Sequence, residues 1–449
     1  MFPARAFHLG LVAMATAASS LIASPAAAQA AADRQVTFTR DVAPILQRSC
    51  VSCHRPGEMA PMSLVTYEEA RPWARAIKTR VAAREMPPWH IDRTIGIQKF
   101  RDDPSLTDEQ IATIVKWVDS GAPRGNAADM PPARQFADAM EWQIGKPDIV
   151  IKFPAYNVPA SGPDLFGNLY ADIPIDSDRY IAAIQTRAAN AASRKVIHHA
   201  LSYAVDDPEG MDVSGDDSVA PEGGQFLVEY ASGKNAEVYP GDTGVLLQAG
   251  KKAMVSYHLH SVGESTPAEI ELGVKLYPKG FVPQHIRWSK QLAQPTSDLD
   301  IPAGQVARVD GYTILHKPAR IIAFQPHMHI RGKRQCLELI YPTAGASAKT
   351  EVVNCANFNY NWHLTYNYAD ESQPLVPAGT ILHVISWHDN STANRGNPDP
   401  KNWVGDGQRT IDEMGFAWIG WYELSDDDYK KAVAERKQQQ QQRATGQQQ

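Results

Sequence analysis

The sequence predicts a multidomain chain in which a small all-α domain precedes two all-β domains of the β-sandwich or jelly-roll type. Three observations lead to this prediction. The chain has 449 residues, which is enough for about three domains. Helical hydrophobic periodicity is confined to the first part of the chain, and short alternating apolar runs separated by Pro, Gly, Asn and Asp follow it. The β region holds roughly 300 residues, which is too many for one sandwich, so we expect two packed together.

The composition is that of a globular protein, with 43% hydrophobic and 21% charged residues. A net charge of -6 gives no reason to expect nucleic acid or an anionic membrane surface as a partner. The N-terminus has the pattern of a secretory signal, with an apolar run from Leu9 to Leu21 and an Ala28-Gln29-Ala30 cleavage site. No later run reaches the roughly 18 apolar residues of a membrane span. We therefore expect a periplasmic or secreted protein without a transmembrane segment.

The predicted divisions of the chain follow these changes in pattern. Met130-Pro131-Pro132 marks the point where helical periodicity stops. The polar, Gln-rich end of the chain cannot bury enough apolar surface to order itself, so we predict disorder there. The divisions are a signal peptide at 1–30, the all-α domain at 33–130, a linker at 131–146, β domains at 147–290 and 291–425, and the tail at 426–449.

Cys50-Val51-Ser52-Cys53-His54 has the C-x-x-C-H pattern at which a c-type haem is attached. The thiols of Cys50 and Cys53 would add to the haem vinyl groups, and His54 would bind the iron from one face. The alternatives are a chance pair of thiols and a disulfide redox motif. The adjacent histidine and the export signal favour haem.

The second axial haem ligand has to come from further along the chain, and we favour Met86. Thioether ligation is a common choice for haem, and Pro87 and Pro88 would stiffen the backbone just after the sulfur. A capping box at Thr107 predicts a helix that ends at Gly121, and this helix resembles the closing helix of small class I c-type cytochromes. The all-α domain is therefore predicted to be a cytochrome c domain. The alternative ligands are Met59, Met62 and His90.

His327 and His329 follow an apolar run that predicts a buried strand. Residues two apart on a strand share a face, so the two imidazoles would point towards one place, as copper, zinc or iron sites require. Considered alone, an H-x-H pair is more commonly a pair of surface histidines. Further histidines and a methionine therefore have to be considered with it.

Two more histidine groups lie earlier in the β region. His198 and His199 are adjacent, and neighbouring strand residues face opposite sides, so a shared metal would require a bulge or a strand end. His258 and His260 lie two apart and share a strand face. Met414, in Asp412-Glu413-Met414, would alone be interpreted as a core residue.

Taken together, these residues resemble the copper type II, ascorbate-dependent monooxygenases, the family of peptidylglycine α-hydroxylating monooxygenase and dopamine β-monooxygenase. The resemblance covers about residues 147–425 and includes the Gly332-Lys333 that follows the H-x-H pair. It implies that one copper is held by His198, His199 and His258. It implies that the other copper is held by His327, His329 and Met414.

The resemblance also implies an activity, which is hydroxylation of a C–H bond with O2 at the Met-ligated copper, a soft thioether site that favours Cu(I). The reaction consumes two electrons. We expect a small-molecule or peptide substrate, and an external electron donor that is either an ascorbate-like reductant or a periplasmic redox protein. The predicted cofactors are two copper ions and one haem c, with the haem relaying electrons.

Several points stay open at this stage. His260 shares a face with His258, so either residue could complete the first copper site. Cys336 and Cys355 are 19 residues apart, a spacing that suits a bridge between adjacent strands in an oxidising compartment. Two other functional classes are a copper-binding or electron-transfer protein without oxygenase activity and a zinc or iron hydrolase. The thioether, and the lack of an acid/base carboxylate beside the H-x-H pair, argue against the hydrolase.

Overall fold

The computed structural model describes residues 34–446 except for Met59, 136–140, 207–223, 232–235, 240–241, 294–298, 344–348 and 408. The predicted signal peptide at 1–30 and the alternative haem ligand Met59 lie outside the described residues.

The described chain is mostly β-sheet. Its strands are β1 Ile149–Lys152, β2 Tyr156–Val158, β3 Leu165–Asp172, β4 Arg179–Ala188, β5 Ile197–Val205, β6 Gln225–Ala231, β7 Glu237–Val238, β8 Thr243–Leu247, β9 Lys252–Leu259, β10 Thr266–Ala268, β11 Ile270–Leu276, β12 His285–Leu292, β13 Val306–Leu315, β14 Ala319–His327, β15 Gly332–Tyr341, β16 Lys349–Asn357, β17 Tyr366–Asn367, β18 Leu375–Val376, β19 Thr380–Asp389 and β20 Phe416–Glu423. Its α-helices are α1 Ala43–Ser49, α2 Tyr67–Ala70, α3 Ala74–Ala82, α4 Asp108–Asp119, α5 Ala191–Val196 and α6 Asp426–Gly446.

The strands form one large sheet and three small ones. The large sheet has the order β1-β11-β4-β8-β12-β20-β14-β17, with β7 beside β4 and β18 beside β14. Two four-stranded sheets have the orders β3-β9-β5-β6 and β13-β19-β15-β16, and β10 pairs with β2. One hydrophobic core includes residues of β4, β5, β9 and β11, and a second includes residues of β14, β15, β19 and β20.

Strand β12 connects the two halves of the large sheet. It pairs in parallel with β8 and antiparallel with β20. The predicted division between residues 290 and 291 therefore falls inside a strand that runs from His285 to Leu292. The two β regions share one continuous sheet in addition to having separate cores.

The predicted fold class is wrong in its first part, because the described residues form no evident all-α cytochrome domain. Strands hold 38% of the described residues, and helices of all types hold 19%. The α-helices between residues 34 and 134 have four to twelve residues and are separated by long turns. The local signals for helices were real, and the capping box at Thr107 is present at the start of α4. Proline and glycine between the short helices, such as Pro56, Gly57 and Pro61, interrupt helical hydrogen bonding.

Residues 89–101 run along the outer edge of β16 and join the helical part of the chain to the second β core. Ile91 pairs with Ala356, and the amide of Ile97 donates to the carbonyl of Val353. At Gly96 the backbone φ is +66°, and an added Cβ would lie 1.9 Å from that carbonyl oxygen. Only glycine fits there.

Cys336 on β15 and Cys355 on β16 lie opposite each other and form a disulfide. The carbonyl of Cys355 accepts a hydrogen bond from the amide of Asp92. The bridged strands therefore also hold the segment of residues 89–101.

The predicted disorder of the tail is wrong for residues 426–446, which form α6. Three aspartates in its first turn favour the helix by opposing its dipole. Arg436 donates to the backbone carbonyl of Gln373 and so ties the helix to the second β region. This helix is polar, and the described part of the chain holds no helix with the length and apolarity needed to cross a bilayer.

Candidate metal centre

Three histidines from two neighbouring strands converge at one point. His198 and His199 lie at the start of β5, and His258 lies near the end of β9, its neighbour in the sheet. One ring nitrogen of each lies within 4.8 Å of those of the other two. Three imidazole nitrogens at this spacing can coordinate a single copper or zinc ion. We call His198, His199 and His258 the first histidine set.

The pairing between β5 and β9 explains how two adjacent histidines reach the same point. Ile197 pairs with Leu259. His199 pairs with His258, so His198 is an extra residue in its strand. Such a β-bulge turns a side chain out of the strict alternation of faces. A metal shared by these neighbours requires a bulge or a strand end, and the structure has the bulge.

His258 is oriented by a carboxylate. Its Nε2 lies 2.8 Å from Oδ2 of Asp164, and its Nδ1 lies 3.3 Å from Nε2 of His199. A carboxylate on one ring nitrogen fixes the ring and makes the other nitrogen a better ligand, as at many metal-binding histidines. His260, the sequence alternative, has its ring 6.3 Å from that of His198 and lies outside the converging group.

His327 and His329 form the second histidine set, with ring centroids 5.6 Å apart. His327 is the last residue of β14, and His329 follows two residues later. Nδ1 of His329 donates to the carbonyl of Asp412 at 3.1 Å. This bond fixes the tautomer and leaves Nε2 of His329 for a metal.

Met414 lies in a segment that packs against both histidines of the second set. The carbonyl of Asp412 accepts from His329, and Phe416 stacks on the ring of His327 with centroids 4.5 Å apart. Met414 is half-buried midway between these two contacts. Met414 therefore belongs to the chain segment that contacts the second set.

Three buried ring nitrogens in the two sets have no hydrogen-bond partner among the described residues. They are Nδ1 of His198, of His199 and of His327. A buried polar atom without a partner costs about 1–3 kcal/mol. A bound metal ion would satisfy such nitrogens, so the side chains present fit a metal.

Burial lowers the pKa of all five histidines in the two sets, and that of His198 falls to about 4. Loss of water is the main cause in each case, and neighbouring histidines lower the pKa further at His198, His199 and His327. At His258 the carboxylate of Asp164 opposes the effect. The rings are therefore neutral near pH 7, which is the form that binds a metal.

His363 lies between the two sets, and the sequence did not predict its involvement. Its ring centroid is 5.4 Å from that of His327 and 6.1 Å from that of His199. His363 belongs to the loop between β16 and β17. The ring centroid of Tyr360, in the same loop, lies 5.8 Å from that of His363. A single histidine in a loop has no spacing signal. The density of aromatic residues in this loop was the feature that could have indicated it.

The C-x-x-C-H motif lies in the turns after α1. Cys50 and Cys53 are separate thiols, and burial raises the pKa of Cys50 to about 12. Nδ1 of His54 donates to the carbonyl of Met62 at 3.2 Å, which leaves Nε2 for a metal. Two unbridged thiols and an oriented imidazole fit a covalently attached haem. Met62 contributes this carbonyl.

Met86 and His90 line a cavity of about 550 Å³ together with Trp89, and Phe358 lines the same cavity from the second β region. The ring centroid of Phe358 is 6.1 Å from that of His363. Phe358 and His363 thus lie between this cavity and the histidine sets. In the described part of the chain, no contact joins His54 to Met86.

Comparisons with known proteins give no family for this chain. No family model matches it, and no curated protein matches it. Among solved structures, the infectious bursal disease virus Gx strain has a TM-score of 0.18 at 9% identity, covering 66% of this chain and 76% of that one. The VP2 subviral particle of the same virus has a TM-score of 0.19 at 11% identity, covering 65% and 75%. The CBM22 tandem domain of Paenibacillus barcinonensis Xyn10C has a TM-score of 0.17 at 9% identity, covering 61% and 83%. Similarities this weak carry no argument about fold or function.

Proposed function

We propose that this chain is an exported copper-dependent monooxygenase that hydroxylates a C–H bond of a small organic molecule or peptide. Electrons would be relayed by a covalently attached haem c. The observation that carries the proposal is the convergence of the first histidine set, whose donor nitrogens lie within 4.8 Å of one another. The ring of His363 contacts His199 of the first set and His327 of the second, so the two sets are neighbours.

The donor types of the two sets support copper. The first set offers three imidazoles, and the second offers two imidazoles with a thioether nearby. A thioether is a soft donor that favours Cu(I), whereas zinc sites are built from imidazole, thiolate and carboxylate. When bound, copper would supply the one-electron redox chemistry and the O2 activation that C–H hydroxylation needs.

The protein's own contribution is to hold the imidazoles neutral and correctly oriented. Asp164 fixes the ring of His258, and the carbonyl of Asp412 fixes the ring of His329. His198, His199 and His327 are half-buried residues, so part of each reaches the protein surface. We place substrate binding beside these residues and Met414.

The proposed electron path starts at the haem motif and uses contacts between the helical part and the β regions. Glu58, four residues after His54, forms an ion pair with Arg194, four residues before His198. On the other side, Phe358 lies between the cavity that Met86 lines and His363. Both contacts support a relay from the C-x-x-C-H part of the chain to the histidine sets.

The experiment that tests this function is a substrate screen. Reduced, copper-loaded protein is mixed with O2 and candidate substrates, and mass spectrometry detects products that gain one oxygen atom from ¹⁸O2. The proposal predicts labelled product. Copper-loaded protein that consumes no O2 and labels nothing across the screen would instead support a copper-binding or electron-transfer protein.

Met414→Leu removes the thioether while keeping a similar side-chain volume. We expect it to abolish O2-dependent product while the haem is still reduced by dithionite. Met328→Leu is the matched control, because Met328 lies between His327 and His329 but is predicted not to be a ligand. Wild-type product formation by Met414→Leu would remove Met414 from the site.

A further inference from the structure

Strand β13 forms an uncovered edge of its sheet. It is the terminal strand of the sheet β13-β19-β15-β16, and in the described part of the chain it pairs with β19 alone. The pairing includes all ten residues of Val306–Leu315 and has no register shift. The opposite edge, β16, is covered by residues 89–101. The chain therefore covers one edge of this sheet and leaves a long, regular strand at the other.

The backbone groups that face the uncovered edge belong to the even-numbered residues of β13. Just before the strand, the carbonyl of Gln305 accepts a hydrogen bond from the amide of Asn390 at 2.9 Å. Asp389, which lies opposite Val306, instead donates its amide to the carbonyl of Arg331, on the other side of β19. Backbone groups alternate between the two sides of an antiparallel strand, so the odd-numbered residues of β13 bond to β19. The residues whose N–H and C=O groups point away from β19 are Val306, Arg308, Asp310, Tyr312 and Ile314.

The side chains of these even-numbered residues lie on the outer face of the sheet. Three of them are large and apolar, and Val306 is 62% exposed, Tyr312 44% and Ile314 50%. Between Val306 and Tyr312 lies the partly exposed ion pair of Arg308 and Asp310, at 2.7 Å. A long strand edge with exposed apolar side chains is the kind of edge that pairs with another chain.

The residues of β13 match a second copy of the same strand. An antiparallel partner has to bring edge-facing residues opposite edge-facing residues. With a two-fold axis at Val309, Val306 lies opposite Tyr312, and Arg308 lies opposite Asp310. An axis at Arg308 or at Asp310 would place that residue opposite its own copy, and like charges directly opposite are unfavourable. The axis at Val309 therefore pairs apolar with apolar and positive with negative.

We propose that two copies of this chain associate through β13, with the two strands antiparallel and Val309 on the two-fold axis. The two four-stranded sheets would join into one sheet of eight strands. Residues 306–312 of the two copies would form about eight backbone hydrogen bonds. Each copy contributes the same residues, as in other two-fold dimers. Neither histidine set takes part, so this inference is independent of the proposed function.

Charges on an edge strand commonly prevent such pairing, because copies of the strand repel each other. The charges of β13 differ from that pattern, since Arg308 and Asp310 have opposite signs at positions that face each other in the proposed dimer. Within Val306–Leu315 there is no proline, lysine or bulge, which are other features that protect edges. The edge is therefore built for a partner with its own charge order reversed in space.

The test measures the mass of the full chain by sedimentation over a range of protein concentrations. We expect the wild-type chain to form a dimer. Arg308→Asp places two acidic residues opposite each other twice in each dimer, and it should weaken association at least about tenfold. Arg75→Asp is the matched control, because it makes the same charge change on an exposed residue of α3. The control should dimerise like the wild type.

Exchanging both charges, as Arg308→Asp together with Asp310→Arg, puts opposite signs opposite each other again and should restore the dimer. Asp310 also accepts from His383 at 2.7 Å, so circular dichroism checks that the double variant folds. Val306→Pro replaces it if it does not fold. Proline there removes an N–H that faces the uncovered edge and leaves the bonds to β19, so it should weaken the dimer without unfolding the chain.

Two results would overturn the proposal. One is a wild-type chain that stays monomeric at every concentration. The other is a dimer whose affinity is the same in the wild type, Arg308→Asp and Val306→Pro, since that dimer would use a different surface. Hydrogen exchange gives a second measurement on the wild type. The amides of Arg308 and Asp310 should exchange more slowly as the protein concentration rises, and rates that do not depend on concentration would contradict pairing through β13.

Discussion

Glu413 is a fully buried carboxylate that holds the backbone of the second histidine set. Its oxygens accept hydrogen bonds from the amide of His329 at 2.9 Å and from the amide of Arg331 at 2.5 Å. These amides lie in the turn between β14 and β15, where strand pairing no longer satisfies them. Met414 follows Glu413 directly, so the residue that holds the histidine backbone is also the sequence neighbour of the proposed thioether ligand.

In Glu413→Gln, the side-chain NH2 group replaces one carboxylate oxygen. It then faces one of the two backbone N–H groups, so that buried donor loses its acceptor. We expect the free energy of unfolding to fall by about 1–3 kcal/mol, and copper to bind more weakly at the second site. Urea unfolding of the metal-free protein and copper titration measure the two effects. Asp412→Asn is the matched control, because its carboxylate pairs with exposed Arg409. Equal effects of the two substitutions would contradict this role of Glu413.

The lowered pKa values of the histidines predict how the metal-free protein responds to acid. An unfolded histidine has a pKa near 6.5, and that of His198 falls to about 4 in the fold. Between these values the unfolded chain binds more protons, so stability is complete above about pH 6.5 and falls as the pH drops towards 4. Urea midpoints between pH 7 and 4 measure the loss. His199→Gln should show a smaller loss, and equal losses in both proteins would contradict this explanation.

The sequence indicates individual candidate side chains more clearly than their surroundings. The H-x-H spacing and the C-x-x-C-H motif are local patterns, so His327, His329 and His54 could be found without a fold. From the sequence, a bulge at His198 is only a condition for a metal shared with His199. Whether the bulge forms depends on the register between β5 and β9, which residues far apart in sequence determine. His363 and Asp164 come close to the sets only through the tertiary fold, and no local pattern marks them.

At the scale of elements, the segment of residues 89–101 is the main connection between the helical part and the second β region. It covers the edge of β16, which would otherwise expose unpaired backbone groups. Arg334 on β15 forms an ion pair with Asp92 at 2.8 Å. This ion pair and the hydrogen bond from the amide of Ile97 to the carbonyl of Val353 fix the segment.

Gly96→Ala tests this connection, because its Cβ would meet the carbonyl oxygen of Val353 at 1.9 Å. We expect a loss of at least about 3 kcal/mol and faster hydrogen exchange at the amides of Asp92 and Ile97. Gly280→Ala has a similar positive φ of +82° with open space around it, so it should cost only about 1 kcal/mol. Similar exchange rates in the two variants would show that the segment is not fixed in this way.

Elements with strong local signals were predictable, and those that depend on distant partners were not. The capping box at Thr107 predicted the start of α4, and the structure has both of its hydrogen bonds. The extended course of residues 89–101 depends on the free edge of β16, so no pattern within the segment indicates it. The same holds for α6, whose polar sequence predicts disorder but which is tied to Gln373.

At the scale of the whole molecule, the two β regions are joined more closely than two packed sandwiches would be. β12 belongs to both halves of the large sheet. The side chain of Gln325 donates to Glu229 at 2.8 Å in a buried contact between β14 and β6. Gln325 lies two residues before His327, and β6 is the strand beside β5. This contact therefore joins the strand that leads to the second histidine set with the sheet that carries the first.

Strand periodicity could indicate that the chain after residue 130 is rich in β-strands, but it could not give their order. Paired residues are 42 positions apart between β8 and β12 and 89 to 104 positions apart between β14 and β20, and side-chain alternation alone does not specify partners. The helix signals in the first part do not amount to a whole domain, because each signal is local and long turns separate the short helices.

The metal and haem content of the purified protein is the measurement that bears most closely on the proposed function. The full chain is expressed in a host that exports it and attaches c-type haem, loaded with copper, and freed of loosely bound metal. Elemental analysis and the haem absorption spectrum under denaturing conditions then give the stoichiometry. We expect about two coppers and one covalently bound haem per chain. Zinc as the only bound metal, with no haem on Cys50 and Cys53, would contradict it.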